Sequence, residues 1–214
     1  MPANWNFRAR AYDALEASDF RRGPSKAQLF SRIRGRTLFL AIGTGIEIRH
    51  FPPGSDIVGI DLSPEMIRRA HKRCAAYQGS LKLLQMDATQ LCFRDHCFDT
   101  VVTSCTLCSV PDPAHVLAEL YRVLRPGGMF LMFEHVRSRD PLLGLALDCM
   151  TLFTRRSGTE MNRDTLSAVK AAGFEIERVE GVFLDIILSA LARKPGHCVP
   201  AVDMSDVLND DEMG

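Results

Sequence analysis

Two glycines, two aspartates and a histidine are spaced along this chain so that one kind of scaffold would bring them together. Gly43 and Gly45 flank Thr44 directly after the apolar run Leu38 to Ile42. A turn of that composition lets the backbone come close to a ligand, because no Cβ stands in the way. Asp61 follows Gly43 by eighteen residues and ends a second apolar run, Ile57 to Ile60. A carboxylate there can accept hydrogen bonds from both hydroxyls of a ribose. Asp87 follows a third run, Leu81 to Gln85, and can accept from the exocyclic amine of an adenine while the Ala88 amide donates to a ring nitrogen. Apolar run, glycine turn, apolar run and acid make the first half of a nucleotide-binding βαβ unit. A dinucleotide wants a third glycine against its pyrophosphate, but Ile48 stands there and Glu47 beside it would repel a diphosphate. The pattern therefore favours a nucleoside cofactor without phosphates, and S-adenosylmethionine meets that description.

The elements that must position these residues can be read in order. Ser63 is placed to cap a helix that starts at Pro64 and runs to about Tyr77. A fourth strand is expected over Phe98 to Cys105, then a helix over Asp112 to Leu124 with Val116, Leu117, Leu120 and Val123 on its buried stripe. Arg125-Pro126-Gly127-Gly128 ends that helix, since proline cannot continue it and glycine takes the left-handed turn. Met129 to Phe133 is a fifth strand and leads into Glu134-His135. A helix over Thr165 to Ala172 and a closing strand pair, Phe174 to Glu180 and Ile186 to Ala192, complete the chain. Strands alternating with helices predict an α/β fold, an open parallel sheet wound on both faces.

Three segments lie outside that rhythm. Residues 1–34 read as an Arg-rich helical cap, either packed on the sheet edge or covering the ligand with Trp5 or Tyr12 facing substrate. Residues 141–163 are apolar nearly all round at first, and include Met150 and Phe153 as substrate-side candidates. That stretch suits a buried helix, a lid over a lipophilic substrate, or a surface in transient contact with a membrane. Residues 195–214 form an acidic tail with a composition typical of disorder.

At 214 residues and 46% hydrophobic, the chain can build one sizeable core, so residues 35–194 are expected to be a single domain. Basic and acidic residues balance at 26 each, which argues against a nucleic-acid binder. The seven cysteines are scattered and odd in number, as in a reducing cytoplasm, and no apolar run is long enough to span a bilayer. A cytoplasmic protein acting on a small molecule is expected; nothing indicates its oligomeric state.

Assembled, these features resemble the class I S-adenosylmethionine-dependent methyltransferases, and within them the subgroup of ubiquinone/menaquinone-biosynthesis, phospholipid and small-thiol enzymes. The resemblance runs from Leu38 to about Lys194 and rests on GTG at 43–45, VGIDLSPEM at 58–66, QMDA at 85–88, FDTVV at 98–102, LAELYRVLRPGG at 117–128 and MFEHV at 132–136. It implies a Rossmann-like, seven-stranded, mostly parallel sheet with helices on both faces and its last strand antiparallel. It also implies that Gly43 and Gly45, with Ala41, Ile42 and Glu47, back the methionine part of the cofactor, and that Asp61 holds the ribose. Leu62 and Met66 would lie against the adenine, Asp87 and Ala88 at its edge, and Ser104 and Cys105 near the sulfonium. Two positions depart from the family: its usual first-strand acid is Phe39 here, and its first glycine is Ala41. Glu47 is the nearest residue that could take over the acid's task.

Methyl transfer from a sulfonium is an in-line displacement in which alignment supplies much of the acceleration. A base is needed only where the acceptor carries a proton at neutral pH. His135, with Glu134 beside it, is the candidate. Cys105-x-x-Cys108 lacks a second ligand pair and reads as crevice wall, so no metal site is expected. An enzyme moving a methyl group to a small lipophilic acceptor (a quinone precursor, lipid amine or thiol), with S-adenosylhomocysteine as product, is one reading. A non-catalytic module with the same fold, binding cofactor or partner, is the alternative that Phe39 and Ala41 motivate.

Overall fold

The computed structural model describes residues 22–155 and 158–196. Trp5, Tyr12 and the acidic tail from His197 onward lie outside the described residues. The elements are α1 (Gly23–Phe30), β1 (Arg36–Leu40), a 3₁₀ turn (Ile46–His50), β2 (Asp56–Asp61), α2 (Pro64–Cys74), β3 (Ser80–Gln85), β4 (Phe98–Ser104), α3 (Pro113–Val123), β5 (Leu124–His135), α4 (Pro141–Thr154), α5 (Thr165–Ala171), β6 (Glu175–Phe183) and β7 (Ile187–Arg193).

Seven strands form one sheet in the order β3-β2-β1-β4-β5-β7-β6. Strands β1 to β5 pair in parallel, and β7 runs antiparallel to both β5 and β6. This is the doubly wound sheet with an antiparallel last strand that the motif order implies. From β1 the chain first winds outward through β2 and β3, then returns to place β4 on the other side of β1. Sheets of this kind open a crevice at the strand C-termini where the winding reverses.

Burial on both faces follows from the strand sequences. In β1, Leu38 and Leu40 join Val58, Ile60, Val101, Phe130 and Met132 against Val116, Leu117 and Leu120 of α3 and Val169 of α5. Phe39 points to the opposite face, with Ile57, Val102, Leu131 and Phe133, against Leu29 and Phe30 of α1 and Ala70 of α2. Strands covered on both faces read as continuous apolar runs, which is why β1, β2 and β4 are legible in the sequence.

Three elements differ from expectation. β5 begins earlier than expected, at Leu124, so Arg125-Pro126-Gly127-Gly128 fall within its bounds rather than in a turn before it. The helix after the glycine turn is a single 3₁₀ turn, because Phe51 is already extended and Pro52-Pro53 follow. The 141–163 segment contains α4, but α4 is not a buried helix: Leu142 is 80% exposed, Leu152 67% and Phe153 72%.

Candidate active site

The C-terminal ends of β1, β2 and β4 and the turns after β3 and β4 enclose a cleft. Its described lining includes Ala41, Gly43, Asp61, Leu62, Met66, Asp87, Ala88, Ser104 and Cys105, nine of the twelve residues singled out as cofactor-binding. The chain's turns bring them together. The backbone is left-handed at Ala41, Gly43 and Gly45, with φ of 52°, 59° and 78°. At Gly45 a Cβ would sit 2.8 Å from Ile48 Cδ1 and 2.9 Å from Ala70 Cα, so only glycine lets α2 pack this close to the turn.

Asp61 fixes the turn from the neighbouring strand. Its Oδ2 accepts from the Gly43 amide and its Oδ1 from the Ser63 amide, both at 2.9 Å. Burial pushes its carboxyl above the usual range, against the opposing pull of those two amides. Ser63 in turn caps α2, its side chain accepting from the Met66 amide at 3.2 Å. Asp87 uses Oδ1 to accept from the Thr89 amide at 2.8 Å and the Thr89 hydroxyl at 2.7 Å.

The remaining three residues sit behind the lining. Ile42 is buried and its amide bonds to the Ile60 carbonyl at 2.8 Å. Gly45 lies in the turn. Glu47 is buried at 4% exposure and accepts from Lys26 Nζ at 2.6 Å and from the Ser104 hydroxyl at 3.2 Å. Lys26, equally buried, reaches it from α1 and lies 5.0 Å from the centre of the Phe133 ring. Phe39 is fully buried in an edge-to-face cluster with Phe30 at 5.6 Å and a tilted contact with Phe51 at 5.2 Å. The family's acid position is thus part of the hydrophobic core here, and Glu47, from the next turn, lies behind the cleft lining beneath Ser104.

Sequence reasoning overlooked the wall formed by Thr106, Ser109, Val110 and Pro111, together with Met86 and Thr89. What holds this wall is the fully buried Glu134, and no local sequence pattern marks it. Its Oε1 accepts from the Thr106 amide at 3.0 Å and the Leu107 amide at 3.2 Å, with Oε2 also 3.2 Å from the latter. Burial raises its pKa to about 7 despite these amides. Arg163 clamps the same turn, donating to the carbonyls of Leu107 and Val110. His135 is half-buried, with Nδ1 3.9 Å from Cys108 Sγ; Cys108 is buried and its thiol is pushed up to about 12 by that burial. Neither His135 nor Glu134 lines the cleft among the described residues, and neither do Met150 and Phe153 of α4.

The donor set discriminates among ligands. Among the described residues the cleft presents two carboxylates and apolar walls, with no lysine, arginine or histidine. Such a lining suits hydroxyls, an amine and a positive sulfonium, and is hostile to a diphosphate. The residues present therefore fit S-adenosylmethionine.

Comparison with known proteins agrees. Residues 38–132 match the model of the methyltransferase domain, from the start of β1's apolar run to the middle of β5. A phosphatidylethanolamine N-methyltransferase of Cereibacter sphaeroides is 37% identical over 50% of this chain and 55% of its own length. The chain thus spans little more than half of that enzyme. A thiol S-methyltransferase TMT1B of Rattus norvegicus is 32% identical over 80% of this chain and 73% of its own. The crystal structure of an S-adenosylmethionine-dependent methyltransferase from Mesorhizobium loti shares the fold, with a TM-score of 0.60, 20% identity, and coverage of 82% of this chain and 98% of that one. By fold, by the composition of its cleft and by a relative matched along most of both chains, this protein belongs to the S-adenosylmethionine-dependent methyltransferase family.

Proposed function

We propose that the chain binds S-adenosylmethionine in this cleft and moves its methyl group to a small lipophilic acceptor, leaving S-adenosylhomocysteine. The observation that carries this reading is the cleft with two carboxylates and no cationic side chain among the described residues. The cofactor, when bound, supplies a methyl already activated on a sulfonium. The protein's part is to align and to exclude water.

In this reading the Gly43 turn backs the methionine part, and Asp61 accepts from the ribose with the lone pairs that Gly43 and Ser63 leave unused. Leu62 and Met66 flank the adenine, while Asp87 and the Ala88 amide meet its edge. Ser104 and Cys105 bound the reacting end, with Glu47 one hydrogen bond behind Ser104. His135, which stands behind the lining beside Cys108, is the candidate to receive the acceptor's proton where there is one. Glu134 is a positioning residue: it holds the Thr106 and Leu107 amides and so shapes the wall of the cleft. Lipid amines and thiols are acceptor classes supported by the relatives' names, and quinone precursors fit the same apolar walls.

Calorimetry with S-adenosylmethionine, followed by transfer of labelled methyl to ethanolamine lipids, alkyl thiols and demethylated quinols, tests the reading. No heat at millimolar cofactor would overturn it. Binding without transfer to any acceptor favours a non-catalytic cofactor-binding module, for which the loss of the usual acid at Phe39 is the supporting observation. His135→Ala is expected to slow turnover at least tenfold or so on a protonated acceptor while sparing cofactor affinity. Equal turnover retires it as the base.

A further inference from the structure

Helix α4 carries its apolar side outward. Leu142, Leu145, Ala146, Cys149, Leu152 and Phe153 share one face at helical spacing, and all six are exposed. Its inward face has Gly144, Leu147 and Thr151, with Asp148 turned to Arg137 at 2.9 Å and Asn162 at 3.0 Å. The tip of the β6–β7 hairpin is apolar as well. Phe183 and Leu184 at its tip are 40% and 64% exposed. Asp185 pins that tip to the start of α4 by accepting from the Ser138 hydroxyl at 2.6 Å and the Arg139 amide at 2.7 Å.

We propose that this combined face docks onto an anionic lipid bilayer, with α4 lying in the interfacial plane. Three observations favour a bilayer over a protein partner. The six side chains offer no strong hydrogen-bonding group, whereas protein interfaces carry about one hydrogen bond per 100–200 Å². Residues 137–163 hold five arginines against three acids. Three of the arginines are paired with two of those acids, Arg137 with Asp148 and both Arg155 and Arg163 with Glu160, and the segment keeps a net charge of +2. Arg139 just before the helix and Arg155 at its end are exposed, where headgroup phosphates would lie. At 14 residues, α4 is about 21 Å long by its rise per residue and is too short to span the hydrocarbon core, which fits lying flat.

Docking stands on this surface alone and can fail or succeed independently of the methyl transfer. The test is flotation of the full chain with vesicles of phosphatidylcholine containing about one-third phosphatidylglycerol, a composition that supplies both acyl chains and negative charge. The wild-type chain should float with them, and Leu145→Glu/Leu152→Glu should bind about tenfold or more weakly at unchanged melting temperature. Leu142→Glu/Phe153→Glu serves the same purpose should the first variant misfold. Arg139→Glu should weaken binding severalfold with the apolar face intact. A wild-type chain that stays in solution, or variants that bind as well as it does, would overturn the proposal. So would sedimentation showing a lipid-free dimer that these variants dissociate, because the face would then belong to a second copy.

Discussion

Replacing Asp61 by alanine is the perturbation most directly tied to the architecture of the cleft. In the fold its two oxygens hold the Gly43 and Ser63 amides at 2.9 Å, so the side chain already braces the turn before any ligand arrives. Hydrogen bonds to a charged group contribute roughly 1.5–3 kcal/mol each. Taking the lower figure for each of two ribose hydroxyls gives about 3 kcal/mol, or a loss of cofactor affinity of more than about a hundredfold. Loosening of the glycine turn adds to that loss. Asp61→Asn separates the contributions. The amide keeps the volume, but its NH₂ must face one of two backbone N–H groups, so only one of the two braces survives. It should fall between wild type and alanine. Calorimetric titration with S-adenosylmethionine and S-adenosylhomocysteine reads both variants, with thermal melts to register the cost to folding. An alanine variant that binds within threefold of wild type would refute the argument, since the ribose would then be held elsewhere.

The other expectations come from buried charge and backbone strain. Glu134 titrates near 7 in the folded protein, against an ordinary 4.5. The native state therefore binds a proton more tightly than the unfolded chain does; the group's contribution to stability is fully present below about 4.5 and is lost as pH rises to about 7, a change of roughly 3 kcal/mol. Glu134→Gln should flatten the difference in denaturant stability between acid and alkaline buffer by about that amount, and an unchanged difference would remove the assignment. Lys26→Met leaves Glu47 buried without its 2.6 Å ion-pair partner and should cost about 3 kcal/mol or more in urea denaturation. Adding Glu47→Gln should recover part of it; a single-variant cost under about 1 kcal/mol would mean that the pair is solvated. Ala41 sits at φ 52°, where an L side chain is strained. Ala41→Gly should therefore stabilise by up to about 1 kcal/mol, and a lower melting temperature would contradict that reading.

Strands β1, β2 and β4 were legible because they are covered on both faces and so spell apolar-rich runs, while Ser63 and Asp112 mark the starts of the helices. The cleft's near wall was legible for a related reason. Backbone turns demand particular residues at fixed offsets, and Gly43, Gly45 and Asp61 satisfy that demand. Its far wall was not. Thr106 to Pro111 have no periodicity, and what holds them is a carboxylate twenty-eight residues later in the chain. Long-range capping of that kind leaves no local pattern. Nor could hydropathy separate a buried helix from one that shows its apolar face to solvent. For α4 both give the same letters, and only its packing, with Gly144, Leu147 and Thr151 inward and Leu142, Leu145 and Leu152 outward, decides between them.

The departures at Phe39 and Ala41 gain a physical account from the same packing. A carboxylate at position 39 would be fully buried among Phe30, Phe51 and Ile57, where an unpaired charge costs several kcal/mol. With α1 laid over this face of the sheet, phenylalanine is the residue the surroundings favour. That same helix delivers Lys26, the buried ion-pair partner of Glu47 beneath Ser104. The exchange of an acid for an aromatic in β1 and the presence of a buried lysine–glutamate pair next to the cleft are therefore coupled: removing α1's lysine without restoring an acid at 39 should leave Glu47, behind the cleft lining, buried without its ion-pair partner. Restoring one, as Phe39→Glu, should not rescue it, because the aromatic cluster offers that carboxylate no donor among the described residues.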